Sequence, residues 1–113
     1  GTRGAVILIE WDSFRALLPI GMDFESLEES KKLGEISLLL LADSGYAPLN
    51  PPEWIDALQP QLIVLSVAAD DEYGLPDRSV LAAVENYSIL RTDLNGWLHI
   101  TTDGEQMWVE SER

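Results

Sequence analysis

Carboxylates that follow apolar segments are the side chains of this 113-residue chain best suited to chemistry. They are Asp23, Asp43 and the run Asp70-Asp71-Glu72. Oxygen-only ligand sets of this kind hold Mg²⁺, Mn²⁺ or Ca²⁺. The simpler interpretation of the run is a solvated charge cluster, because adjacent carboxylates repel each other unless a cation or water separates them. The sequence therefore leaves open a site that binds a hard cation such as Mg²⁺ or Ca²⁺ weakly.

Nitrogen and sulfur ligands for zinc are scarce. Zinc in hydrolytic sites prefers imidazole or thiolate and usually takes three protein ligands, whereas the chain contains one histidine, His99, and no cysteine. We therefore expect no zinc cofactor. A Ser-His-acid set of Ser44, His99 and Asp43 can be written down, but no Gly-x-Ser-x-Gly motif accompanies it. Alternation along its segment instead predicts His99 as a partly exposed strand residue.

The charge balance excludes other functions. Seven basic residues stand against twenty acidic ones, a formal net charge of −13. Such a chain lacks the Lys/Arg stripe that neutralises phosphates, so we predict no direct nucleic-acid binding and favour basic partners. No apolar run approaches the roughly 18 residues of a membrane span, so none is predicted. The four tryptophans are expected in the core or on sheet faces rather than on a base-stacking platform, because no basic residues interleave with them.

The first third of the chain predicts a hairpin and a helix. Residues 5–10 and 14–18 are rich in apolar and β-branched residues and are separated by a short polar break, which is typical of an antiparallel hairpin. Asp23 is in position to cap a helix over residues 24–33, in which Glu28 and Lys32 would pair, and Gly34 would end it.

Two buried strands are predicted in the middle of the chain. Residues 36–41 and 62–67 are nearly continuous apolar runs, as in strands covered on both faces by helices. Between them, Asn50 precedes two prolines and is expected to cap a helix that runs to residue 58. This is a right-handed βαβ unit with parallel strands. The loops with Asp43 and with residues 70–72 should then share one edge of the sheet with Asp23.

In the last third, Asp77 is expected to cap a helix that runs to about residue 86, and a short strand over residues 89–91 and an antiparallel meander are expected to follow. Asn95-Gly96 and Asp103-Gly104 supply tight turns that bracket the last strands. We therefore predict a single α/β domain over residues 1–113, with a mixed β-sheet and helices packed on it.

Three motifs carry a resemblance to a known family. In order, they are Ser66-Val67, Tyr73-Gly74-Leu75-Pro76 and Arg91-Thr92-Asp93-Leu94-Asn95-Gly96. They resemble the C-terminal part of the metallo-β-lactamase-like domain of ComEC-type DNA-uptake channel proteins, where the pieces are Ser-Val, Asn-x-Tyr-Gly-His-Pro and Arg-Thr-Asp-x-x-Gly. The resemblance implies one half of an αββα sandwich. It also implies that the chain is a fragment of a soluble domain attached to a bacterial membrane channel protein.

The positions that would bind metal in that family are altered here. Leu75 stands where the family has His before Pro, and Asp43 and Ser44 stand where Pro-His-His-Gly-Ser has its His pair. Asp23 comes one residue later than the Asp of the family's Leu-Leu-x-Gly-Asp turn. We expect Leu75 to fill the space that a metal-binding His would face. These four positions are therefore interpreted as vestigial.

The resemblance implies a catalytically degenerate domain with a structural or partner-binding role in a DNA-uptake or competence protein. One alternative is a metal-dependent hydrolase or nuclease whose other ligands come from a missing N-terminal half, and another is an unrelated acidic interaction module. The predicted partner is a protein or that missing half. An isolated half-sandwich would expose its apolar sheet face, which also favours a homodimer.

Overall fold

Seven strands and four short α-helices follow one another in the parts of the chain that the computed structural model describes, residues 5–20 and 24–113. The strands are Ala5–Trp11 (β1), Phe14–Ile20 (β2), Leu38–Leu40 (β3), Leu62–Leu65 (β4), Ile89–Arg91 (β5), Leu98–Thr102 (β6) and Met107–Ser111 (β7). The α-helices are Phe24–Ser30 (α1), Pro52–Leu58 (α2), Arg78–Ala83 (α3) and Thr92–Asn95 (α4). Short 3₁₀ turns cover Lys31–Leu33, Ala42–Gly45 and Ala47–Leu49.

Five strands form one mixed sheet in the order β1-β2-β3-β4-β5. The β1–β2 hairpin is antiparallel, and β2 to β5 pair in parallel. The predicted hairpin, the parallel pairing of β3 with β4 and the α/β class are therefore confirmed. β3 is shorter than the predicted strand, since only Leu38–Leu40 lie in the ladder.

The main core lies between this sheet and the helices. Strand alternation turns Val6 and Leu8 of β1 towards it, together with fully buried Leu17, Leu39 and Ile63 from the central strands. Trp54 of α2 is also fully buried. Its Nε1 donates to Ser30 Oγ at 2.7 Å, so the one polar atom of the indole ring is satisfied inside the core.

The opposite face of the sheet carries a second core, which is covered by a hairpin rather than by helices. Phe14, Ala16, Leu38 and Leu62 are buried there, with Ile100 of β6 and Met107 of β7 packed against them. The prediction that the central strands have helices on both faces is wrong on this side. The β6–β7 pair can replace a helix because its residues alternate, so one of its faces is apolar.

The antiparallel meander predicted for the end of the chain is confirmed for β6 and β7, which pair antiparallel, but β5 does not belong to it. β5 joins the main sheet parallel to β4, and the chain then leaves through α4 to form β6–β7 as a separate two-stranded sheet. The turn of this hairpin is tied to the β1–β2 turn, because the Gly104 carbonyl oxygen accepts the N–H groups of Ser13 and Phe14, each at 2.9 Å. The tail is therefore a second layer on the sheet.

The Arg91-Thr92-Asp93 motif has a structural role. Arg91 Nη2 and Nε donate to the Asp93 carboxylate at 2.7 and 3.0 Å, a charge-assisted pair that braces the turn after β5. This hydrogen bond to Asp93 is the main cause that raises the pKa of Arg91. Thr92 Oγ1 accepts the N–H of Val67 at 2.8 Å and donates to its carbonyl oxygen at 2.9 Å. The motif thus fastens the end of β5 to the segment that follows β4.

α1 and α3 are shorter than the sequence predicts, whereas α2 ends at Leu58 as predicted. α1 passes into a 3₁₀ turn at Lys31, and this tighter turn pairs Lys31 with Glu28 and Lys32 with Glu29 in place of the predicted Glu28–Lys32 pair. The proposed cap, Asp23, lies outside the described residues. No helix within residues 5–20 and 24–113 is long and apolar enough to cross a bilayer.

We predict that Leu39→Ala lowers the free energy of unfolding by about 2–5 kcal/mol, because it leaves a cavity in the middle of the main core. Ile7→Ala on the same sheet removes a side chain that is 43% exposed and serves as the control, with a smaller loss expected. Urea denaturation followed by far-UV circular dichroism measures both. Equal losses would contradict the assignment of Leu39 to the core.

Candidate functional site

The loops that follow β3 and β4 meet at the carboxyl-terminal edge of the parallel strands. They enclose a cleft of about 330 Å³, and its lining residues are Asp43, Tyr46, Tyr73, Leu75 and Asp77. Two of the four vestigial positions, Asp43 and Leu75, therefore lie together as the topology predicts. Ser44 belongs to the same loop as Asp43. Asp23 lies outside the described residues.

Asn50 organises the first of these loops. Its side chain is buried, with 1% of the residue exposed. Oδ1 accepts the N–H of Ala42 at 2.8 Å, and Nδ2 donates to the carbonyl oxygens of Ala42 and Tyr46, each at 2.8 Å. The prediction that Asn50 caps α2 is wrong, because Pro51 holds the N-cap position and the amide turns back into the loop.

The backbone between these anchors is strained. Asp43, Ser44 and Gly45 have φ values of 44°, 54° and 85°, three successive residues in the left-handed region. Glycine adopts it freely, but a non-glycine residue there costs on the order of 1 kcal/mol. A Cβ atom on Gly45 would lie 2.6 Å from Cβ of Pro76. Glycine at position 45 therefore permits both the turn and the close approach of the second loop.

Two aspartates hold the second loop in place. Asp71 Oδ2 accepts the N–H groups of Tyr73 and Leu75, each at 3.0 Å, which forms a local turn. Asp77 Oδ2 accepts the N–H of Ala47 at 2.7 Å, and the N–H of Asp77 donates to the Gly45 carbonyl oxygen at 3.1 Å. Asp77 was predicted to cap α3. It occupies the N-cap position, but its carboxylate joins the two loops instead.

The acidic run contributes structure rather than a ligand shell. The carboxylate of Asp71 is engaged with backbone N–H groups, and Asp70 and Glu72 are exposed to solvent. Within residues 5–20 and 24–113, no group of three or more His, Cys, Asp or Glu side chains is arranged to hold a metal. This geometry agrees with the interpretation of the run as a solvated charge cluster.

The cleft itself does not have the donors of a zinc pair. Of its five lining residues only Asp43 and Asp77 are carboxylates, and Asp77 already accepts a backbone N–H. Leu75 is half-buried and packs against the main core. Zinc hydrolases need about three protein ligands. The residues present therefore do not fit a dinuclear zinc centre.

His99 takes no part in the cleft. It is exposed on the hairpin and pairs across the strands with Glu110 of β7. No hydrogen bond links His99 to Asp43 or Ser44, all three of which are among the described residues. The Ser-His-acid set is therefore not assembled, and His99 is the exposed strand histidine that alternation predicted.

Sequence reasoning missed the two tyrosines of the cleft. Tyr46 and Tyr73 have 44% and 79% of their surface exposed, although both line the same cavity. The sequence contained a signal for both, because each tyrosine neighbours a glycine, Gly45 or Gly74, in a loop that follows a parallel strand. Both glycines have positive φ in the structure. The edge of the sheet thus presents aromatic rings beside carboxylates.

A second surface feature lies on the face that the β6–β7 hairpin covers only in part. Ile7, Ile9, Trp11 and Ile20 are 43–56% exposed there, and we call these four residues the β1–β2 strip. Ile9 lies beside Ala16 of the second core in the register of the two strands, which places the strip on the hairpin side of the sheet. β1 is an edge strand. The strip is therefore an apolar surface that adjoins the second core and remains exposed to solvent.

We predict that Asn50→Ala lowers the free energy of unfolding by about 3 kcal/mol, because two buried backbone groups of Ala42 and the partly buried carbonyl oxygen of Tyr46 lose their partner. Asn86→Ala, at an exposed asparagine, is the matched control and should change it by less than about 0.5 kcal/mol. Urea titration of both variants measures the difference. A loss at Asn50 as small as the control's would contradict its role as the anchor of the loop.

None of the protein-family models, curated proteins and solved structures compared with this chain matches it. The resemblance to the ComEC-type domain therefore stays a prediction, and the functional argument depends on the geometry described above.

Proposed function

We propose that this chain is a catalytically degenerate metallo-β-lactamase-like domain that serves as a structural, partner-binding element of a DNA-uptake type protein. The observation that carries the proposal is the composition of the cleft. Positions at which the resemblance expects metal ligands meet at one edge of the sheet, yet the side chains there are Leu75, Asp43 and two tyrosines.

The cleft is suited to holding a ligand rather than to hydrolysis. Hydrolysis by this class of site requires metal to activate water. Here Leu75 belongs to the packing of the core, and Asp77 is committed to the N–H of Ala47. Asp43 is left as one exposed carboxylate. An exposed carboxylate beside apolar and aromatic groups offers recognition without an activated nucleophile.

Zinc titration tests the loss of the metal site. We expect isothermal titration calorimetry to show no stoichiometric zinc binding to the purified chain or to Leu75→His, because one added imidazole beside two carboxylates, one of which already accepts the N–H of Ala47, does not supply the nitrogen and sulfur donors that zinc prefers. Asp43→Ala is the control. One zinc ion bound per chain, and lost in Asp43→Ala, would overturn the degenerate interpretation.

The partner surface in this proposal is the β1–β2 strip, and its occupant is a second copy of the chain. On this face β1 and β2 carry alanine, isoleucine, leucine, tryptophan and phenylalanine and no charged residue. Two such strips are complementary to each other without any need for opposite charges. The strip also adjoins the second core, in which the β6–β7 hairpin already covers part of this face of the sheet. A second copy would extend that layer over the exposed part.

The expected dimer is weak. Burying the remaining half of eight large apolar side chains, four from each copy, yields roughly 8 kcal/mol, whereas association itself costs about 4–15 kcal/mol. The net charge of −13 on each copy adds repulsion. Because salt screens charges that lie more than about 8 Å apart at physiological ionic strength, dimerisation should strengthen as salt is added.

Sedimentation equilibrium tests this surface. We expect a reversible dimer at protein concentrations of about 0.1–1 mM, and a monomer for Ile9→Glu, which places a charge at the centre of the strip. Leu94→Glu is the matched control, because Leu94 is an exposed apolar residue outside the strip. A chain that stays monomeric at all salt concentrations, or a dimer that Ile9→Glu does not weaken, would contradict the second copy as the occupant.

A further inference from the structure

We propose that the cleft at the ends of β3 and β4 binds the guanidinium group of an arginine side chain presented by a basic partner. Its lining combines two tyrosines, two aspartates and one leucine, Leu75, in a space of about 330 Å³. This proposal goes beyond the partner-binding role inferred above and does not depend on dimerisation through the β1–β2 strip.

The aromatic residues supply the first part of the recognition. Tyr46 and Tyr73 come from different loops, line the same cleft and keep 44% and 79% of their surface in solvent. A cation over the face of an aromatic ring is attracted by the ring quadrupole, and arginine stacks on such faces more often than lysine does. Two exposed rings at one cavity therefore form a surface on which a flat cation can stack.

The carboxylates supply the second part. Asp43 is exposed, and Asp77 uses only Oδ2 for its hydrogen bond to Ala47, which leaves acceptor capacity on its other oxygen. A planar guanidinium donates two parallel hydrogen bonds to a carboxylate, which makes arginine a better match than a point-charge ammonium. The net charge of −13 draws basic ligands towards the chain in general.

The frame around the cleft is rigid enough to hold these groups in position. Gly45 lies directly against Pro76, Asp77 ties the two loops together, and Asp71 fixes the turn before Leu75. Leu75 adds an apolar wall for the methylene stem of the arginine. A cavity near the lower end of ligand-site volumes, roughly 300–1,000 Å³, fits one side chain better than an extended peptide.

The test is a titration of the isotope-labelled chain, followed by two-dimensional ¹H–¹⁵N NMR. The probes are three acetylated, amidated pentapeptides with arginine, citrulline or lysine between two pairs of glycines. Citrulline keeps the shape of arginine but lacks the charge. We expect the arginine peptide to shift the amide signals of Gly45 and Gly74 and to leave that of Gly104 in the hairpin turn unchanged. The titration is repeated on Ile9→Glu, so that loss of dimerisation and loss of peptide binding are distinguished.

Matched variants separate the cleft from general charge attraction. Tyr73→Leu and Asp43→Asn should each weaken binding of the arginine peptide by at least about fivefold. Glu53→Gln on α2 removes the same charge at an exposed position and should leave the affinity within about twofold. The proposal is overturned if the citrulline or lysine peptide binds as tightly as the arginine peptide, if no cleft amide shifts, or if Asp43→Asn and Glu53→Gln weaken binding equally.

Discussion

The contact between Gly45 and Pro76 is the constraint on which the candidate site depends. A side chain at position 45 would collide with the proline ring, and the left-handed backbone of the preceding two residues leads the chain into this approach. Asp77 then joins the loops through one side-chain and one backbone hydrogen bond. Because the cleft is the space between these loops, its shape is set by how closely they pack.

Next to this contact, polar side chains supply the hydrogen bonds that the loop backbone would otherwise make in a helix or strand. Loops that are buried leave backbone groups without partners unless side chains supply them. Asn50 does this for Ala42 and Tyr46, and Thr92 does it for Val67. The edge of the sheet thereby carries a firm scaffold with exposed rings and carboxylates on it, which is an arrangement suited to recognition.

The two surfaces of the molecule are chemically different and lie on different elements. The cleft is acidic and aromatic and stands at the ends of β3 and β4, whereas the β1–β2 strip has no charge and follows the first hairpin. We propose that the strip holds a second copy by apolar packing and that the cleft binds a cation. In that arrangement the strong negative charge of the chain opposes self-association and promotes binding of basic ligands.

The sequence by itself determined the elements whose periodicity is strong: the first hairpin, the parallel pair β3 and β4, and α2 between them. It also determined that the loops with Asp43 and with residues 70–72 share an edge of the sheet, because that follows from strand direction alone. Only the tertiary structure decided that β6–β7 covers the second face, that the side chains of Asn50 and Asp77 bond to loops rather than to helix N-termini, and that Tyr46 and Tyr73 line one cleft. These outcomes depend on contacts between residues distant in sequence, and local pattern and propensity carry no information on which distant surface a side chain will reach.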